Sequence, residues 1–232
     1  MVAEADGSSV LLDTGSGHSG HRLIERFQEV FELVEKPAVV GVDIPVGLLE
    51  RAVKGGRQCD REVRPILGQP RARSVFSPPV RGALHCTDYA SANKSNRESS
   101  PDRVGISIQS FGLRQKLLEM DGLITPKLQE IVKEVHPELS FYELNDRRPL
   151  KHGKKDRTGA GLAERRALLR NAGFDGIVSK PLGYPRTKVG EDDILDACAA
   201  CWTAARILGR NAVRIPERPP EDKRRLLMEI WR

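Results

Sequence analysis

Residues 38–48 read AVVGVDIPVGL, a valine-rich apolar run closed by Pro45 and Gly47. An uninterrupted apolar stretch this short, rich in β-branched residues and ending in a turn signal, predicts a strand buried on both faces. A strand of this kind suits a sheet covered by helices. Asp43 stands near its C-terminal end, between Val42 and Ile44. A carboxylate there is costly unless paired, hydrogen-bonded or metal-bound, and open α/β sheets gather ligands at the carboxyl ends of their strands. The simpler alternative is that Asp43 only caps the Pro-Gly turn.

A second group of acids lies far along the chain. Residues 190–197 read GEDDILDA and lead into a helix predicted over 192–208, which places Asp192, Asp193 and Asp196 at its start. Residues three and four apart share a helix face. Carboxylates crowded there repel one another and raise a pKa, whereas Mg²⁺ or Mn²⁺, which prefer oxygen ligands, convert the repulsion into a binding site. Taken alone, however, acids at a helix start are explained by the macrodipole and by capping.

The 232 residues, 39% of them hydrophobic, suffice for one sizeable domain or two small ones with a real core. No leader peptide and no run of eighteen apolar residues is evident, so a cytoplasmic protein with no membrane partner is expected. Cys59, Cys86, Cys198 and Cys201 then read as reduced thiols. The Cys198/Cys201 pair falls inside the predicted helix without the spacing of a zinc site. Net charge is +6 and the pI about 9.3. Residues 51–103 carry eleven basic side chains against five acids, a surplus equal to that of the whole chain. A basic segment beside an acidic metal site suits a phosphodiester substrate, whose backbone attracts Lys and Arg. A merely solvated surface segment is the plainer reading.

Residues 2–13 are expected to form a hairpin around Asp6-Gly7-Ser8-Ser9. A glycine-rich link at 15–20 follows, then an amphipathic helix over 22–36 stopped by Pro37. After the Asp43 strand, residues 49–107 turn polar, basic and rich in Gly and Pro, an insertion or lid with one short helix near 60–67. Helices are expected at 109–120 and 126–132, and strand-like alternation interrupted by Pro137 over 133–144. A flexible approach at 183–190 precedes the last helix, and 211–216 returns as an extended tail.

Five blocks in this order, GVDIPVGL (41–48), CDREVRPILG (59–68), SVFSPP (74–79), EVHPELSF (134–141) and DDILDA (192–197), resemble the family called domain of unknown function 429, whose members are described as predicted RNase H-like nucleases. The resemblance covers nearly the whole chain. It implies one RNase H-like domain over 1–232, a mixed sheet flanked by helices, with metal ligands from a first-strand Asp, a fourth-strand acid and a DxxD on the last helix. Asp43 matches the fourth-strand acid, Asp193 and Asp196 match the DxxD, and Asp192 is a neighbour or alternative ligand. Two Mg²⁺ or Mn²⁺ ions about 4 Å apart would then support in-line hydrolysis of a nucleic-acid phosphodiester. The usual first strand, ending in Val-Asp-Gly, is expected to be missing, because MVAEADGSS aligns better with the second. That leaves a start upstream of Met1, a substitute segment or an impaired site. A competing alignment makes Asp6-Gly7 the absent block.

The EVHPE block adds Glu134 and His136 as candidate catalytic groups, the histidine as proton shuttle or ligand, although a histidine beside a proline is commonly structural. Arg61, Arg64, Arg71, Arg73 and Lys180 are candidates for holding nucleic acid; Arg61 and Arg64 could clamp a phosphate, but an Asp60–Arg64 surface ion pair accounts for Arg64 equally well. Lys154 and Lys155 either contact nucleic acid or stay solvated, and Trp202 reads as core packing. Three classes stay open: a metal-dependent nuclease of DNA or RNA, a nucleic-acid-binding or scaffold protein with an impaired site, and a metal-dependent hydrolase or phosphotransferase of a small phosphorylated substrate. Oligomeric state is equally open, a dimer included.

Overall fold

The structure, a computed structural model, describes residues 2–5, 8–13, 20–33, 36–179, 185 and 189–232. The Asp6-Gly7 block, residues 15–19 of the glycine-rich link, Lys180 and most of the 183–190 approach lie outside them. Strands β1 (Val2–Ala5), β2 (Ser8–Asp13), β3 (Gly20–Ile24) and β4 (Val40–Val42) come first. They are followed by helices α1 (Gln58–Leu67), α2 (Tyr89–Glu98), α3 (Ile108–Gly112), α4 (Arg114–Leu123) and α5 (Pro126–Gln129). Then come β5 (Val132–Glu134), α6 (Pro137–Leu144), α7 (Ala160–Leu169), α8 (Asp175–Val178), α9 (Glu191–Leu208), β6 (Arg214–Ile215) and β7 (Ile230–Trp231).

Two compact units result. The first is Met1–Asp43 with Ile131–Ala212 and Arg232; the second is Ile44–Glu130 with Val213–Trp231, and so contains the whole 49–107 segment. The first unit is a five-stranded mixed sheet in the order β3-β2-β1-β4-β5. β1 is antiparallel to β2 and parallel to β4, pairing Val2 with Val42, and β4 is parallel to β5. The expected vacancy at a first strand is therefore corrected: Val2–Ala5 itself stands between β2 and β4, paired along its length with β2 and at Val2 with β4.

The hairpin forms as expected, but the helix over 22–36 does not. Residues 20–24 pair with β2 from Ser9↔Ile24 to Asp13↔Gly20, and a short 3₁₀ turn, Phe27–Phe31, buries Phe27 and Val30. Tertiary pairing overrode the helical spacing: β2 offers residues 20–24 a ladder partner, while Ile24, Phe27 and Val30 still reach the core.

Helix α9 packs on the sheet at Gly41. A Cβ on this glycine would lie 3.0 Å from the Ala200 carbonyl oxygen, 3.4 Å from Val135 Cγ1 and 3.5 Å from Ala204 Cβ. Ala200 and Ala204 are four residues apart, and Asp196 continues the same helix stripe one turn earlier. Helix α6 is tied to α9 by a buried Ser140–Thr203 hydroxyl pair at 2.7 Å. Gly41→Val is expected to lower stability by about 1–3 kcal/mol, because the new methyls meet backbone that can yield only by lifting the helix. Urea unfolding of the variant checks this, and an unchanged midpoint would refute the close approach.

The second unit has its own core, with Ala52, Val80 and Ala83 packed against Leu49 and Val104. Asn96 joins its loops, accepting from the Val80 N–H at 2.8 Å and donating to the Val104 carbonyl at 2.8 Å. The C-terminal segment folds back on α5, where the Gln129 amide exchanges two hydrogen bonds with the Leu227 backbone, at 2.7 and 2.9 Å.

Candidate cation site at the start of the last helix

Helix α9 opens with four acidic opportunities, and the fold gives each a different partner. Gly190 is the N-cap, so Asp193 is the third helical residue, and its Oδ2 reaches back to accept the Gly190 N–H at 2.7 Å. That is the local capping geometry of an acid at this position. Glu191 is paired with Arg166 of α7. Asp192 and Asp196, one helical turn apart, converge on a single ammonium: Lys154 Nζ lies 3.1 Å from Asp192 Oδ2 and 2.5 Å from Asp196 Oδ2.

Lys154 comes from the 151–159 loop ahead of α7. Glu164 fixes this loop by accepting the Lys151 and His152 N–H groups at 2.9 and 3.0 Å. Gly161 lets the loop lie against the helix, since a Cβ there would meet the Gly153 carbonyl oxygen at 1.8 Å. Beside the pair, the fully buried Arg165 is bound to Glu138 of α6, donates to the Gly161 carbonyl at 3.1 Å and stacks 5.2 Å from the Phe141 ring centre.

Burial dominates the electrostatics of Asp196. It pushes the carboxyl up to about 6 from an ordinary 3.8, helped by the nearby Glu138 charge and opposed by Lys154 and Arg165. Burial also works against the Lys154 charge, but the attraction and hydrogen bonds of Asp196 and Asp192 outweigh it, and the ammonium is held above its usual range. Cys198, buried two residues further along α9 than Asp196, has its thiol raised by burial and by the neighbouring Cys201 and Asp196. All four cysteines are free thiols.

Asp43 follows the last residue of β4 and is half-buried. Glu134 is buried and in register with Val42, whereas Gly41, the residue facing α9, is in register with Lys133. Since strand side chains alternate, Glu134 belongs to the opposite sheet face from α9. His136 starts α6: its carbonyl accepts the Leu139 and Ser140 N–H groups, both at 2.9 Å, with Pro137 in the first helical turn. Among the described residues no three of His, Cys, Asp and Glu converge closely enough to hold a metal ion.

The basic candidates belong to the second unit, apart from Lys180, which lies outside the described residues. Arg64 donates to the Val75 carbonyl, at 3.2 and 2.9 Å, and to Ser77 Oγ at 2.9 Å, knitting α1 to the loop after it. Arg61 donates to the Gly56 carbonyl, Arg71 is half-buried and Arg73 exposed. Asp60 pairs with Arg57 at 2.7 Å instead of Arg64, both side chains 1% exposed. Arg81 binds Glu50, Asp121 and Asp222. Charge counting therefore overstates the open basic surface, because Arg57, Arg64 and Arg81 serve internal partners. Trp202 is half-buried beneath Arg206, whose guanidinium carbon lies 4.6 Å from the ring centre.

Lys154 was legible only as a charge in a polar loop. No spacing links it to Asp192 or Asp196, since the contact depends on how α7 and its preceding loop pack beside α9. Arg165 was likewise hidden: a guanidinium gives no sign in the sequence that it will be fully buried.

These features define a mixed α/β protein built on a small sheet with a parallel half, with an acid pair on the last helix and its counter-charge on the loop before α7. The chain belongs to the family described as Protein of unknown function (DUF429), whose model matches residues 1–221. No curated protein and no solved structure matches it at a significant level. Among the described residues no helix is long and apolar enough to cross a membrane.

Proposed function

We propose that this protein is a metal-dependent nuclease of RNase H-like type, hydrolysing a phosphodiester of DNA or RNA. One observation carries the reading: Asp192 and Asp196 direct two carboxylate oxygens at one cation. The donor set suits Mg²⁺ or Mn²⁺, hard ions that sites often hold through one or two carboxylates, with water and substrate phosphate completing the shell. Asp192 and Asp196 would hold the ion. Asp43, at the carboxyl end of the strand against which α9 packs, does not form a three-carboxylate group with them, and enters only as the acid that the family pattern supplies. A divalent ion there provides Lewis-acid stabilisation of charge on phosphate oxygens.

The remaining work falls to the chain itself. Helix α9 keeps the two carboxylates one turn apart on a rigid element, and the Arg165–Glu138 pair braces α6 and α7 beside them. In the second unit Arg51, Lys54, Arg73 and Arg97 are exposed, and their charge supports a nucleic-acid partner.

The test is incubation with labelled single-stranded, double-stranded and branched nucleic acids in Mn²⁺ or EDTA, alongside Asp43→Asn. Cleavage in Mn²⁺ that EDTA abolishes and the variant lacks is the expected result. Salt-sensitive binding without cleavage under any metal would replace this reading with that of a nucleic-acid-binding protein whose site is impaired; the Lys154 bridge is the feature that favours that outcome.

A further inference from the structure

We infer that Lys154 is a tethered counter-cation that occupies the Asp192–Asp196 pair in the metal-free protein and yields it to a divalent ion. The inference rests on the metal-dependent reading and specifies how its site is kept before the metal arrives. Two carboxylates one turn apart on a helix destabilise each other unless a positive charge stands between them. Here the charge is supplied from within, by an ammonium within hydrogen-bond reach of both oxygens.

The arrangement permits exchange without unfolding. The loop backbone is held by Glu164 at Lys151 and His152, and by the close packing of Gly153 on Gly161. Lys154 itself hangs on a flexible four-carbon stem, and its side chain keeps 28% of its surface open to solvent. Rotation of that one side chain clears both carboxylates while the loop stays in place. An ammonium and a divalent ion cannot both fill the space between the two oxygens, so the lysine competes with the metal. The protein thereby keeps a preformed acid pair without the self-repulsion that would otherwise splay it.

Titration of Mn²⁺ into the full chain, read by the loss of the free Mn²⁺ electron-spin-resonance signal and without nucleic acid, tests this. Lys154→Met is expected to tighten Mn²⁺ binding by about tenfold, a coupling of ordinary size. Lys154→Arg, which keeps the charge, and Lys155→Met, at an exposed neighbour, are expected to bind as the wild type does. Adding Asp196→Asn to Lys154→Met is expected to remove the gain. Equal affinity in wild type and Lys154→Met, with binding lost in Asp196→Asn, would overturn the counter-cation role and leave the metal site standing. Absence of Mn²⁺ binding in every folded variant would overturn both. Should Lys154→Met not fold, Lys154→Gln carries the same comparison.

Discussion

Asp196→Asn is expected to cut metal-dependent phosphodiester cleavage by about 10²–10³-fold, the usual consequence of removing one group that stabilises transition-state charge. Asparagine keeps the shape of the side chain and leaves Lys154 in contact with Asp192, so the loss falls on chemistry and not on folding. Single-turnover rates in saturating Mn²⁺ would measure it, and a change under threefold would sink the assignment. Stability gives an independent signature. Because burial raises the Asp196 carboxyl to about 6, the folded chain holds a proton between about pH 4 and 6 that the unfolded chain has released. With more protons bound to the folded form, its stability declines as pH rises through that window and is highest below it. The asparagine variant lacks this contribution, so the wild-type minus variant difference in urea midpoint is expected to fall from pH 4 to pH 6.

Asp60→Ala is expected to destabilise the second unit by about 3–5 kcal/mol, the effect of removing one partner from a buried ion pair. Arg57 is 1% exposed; it donates to Asp60 at 2.7 and 3.3 Å and to the Val46 and Gly47 carbonyls at 3.1 and 3.4 Å. Without Asp60 the guanidinium keeps two carbonyls but loses its counter-charge in a place that water does not reach. The Arg57 N–H at the start of α1 also loses its acceptor, Asp60 Oδ2 at 2.9 Å. Arg57→Met combined with Asp60→Leu removes both charges and is expected to cost far less than the single change. Guanidinium unfolding of the three variants checks the pattern, and a loss under 1 kcal/mol for Asp60→Ala would show that the pair is not desolvated.

Much of the local structure was legible. The Val-rich run yields β4 with Asp43 directly after it, Gln58–Leu67 and Glu191–Leu208 are helices close to their expected bounds, and residues 2–13 form a hairpin. Each rests on information carried within a few residues: apolar runs, helix-start acids, turn residues. The helix expected over 22–36 failed because its periodicity was real but its backbone was claimed by β2. The Asp193–Asp196 spacing was compatible with a shared site, yet the helix begins one residue before Asp192, and that register turns Asp193 into a cap while leaving Asp192 with Asp196.

The sequence alone therefore determined the strand before Asp43, the helix near 60–67, the last helix and the crowding of carboxylates at its start, because those properties follow from neighbours along the chain. Only the tertiary structure decided that Val2–Ala5 fills the middle of the sheet, that Arg57, Arg64 and Arg81 are spent on internal partners, and that Lys154 rests between Asp192 and Asp196. Charges act through space at a few ångströms, and residues 42 positions apart, such as Lys154 and Asp196, are brought that close only by packing.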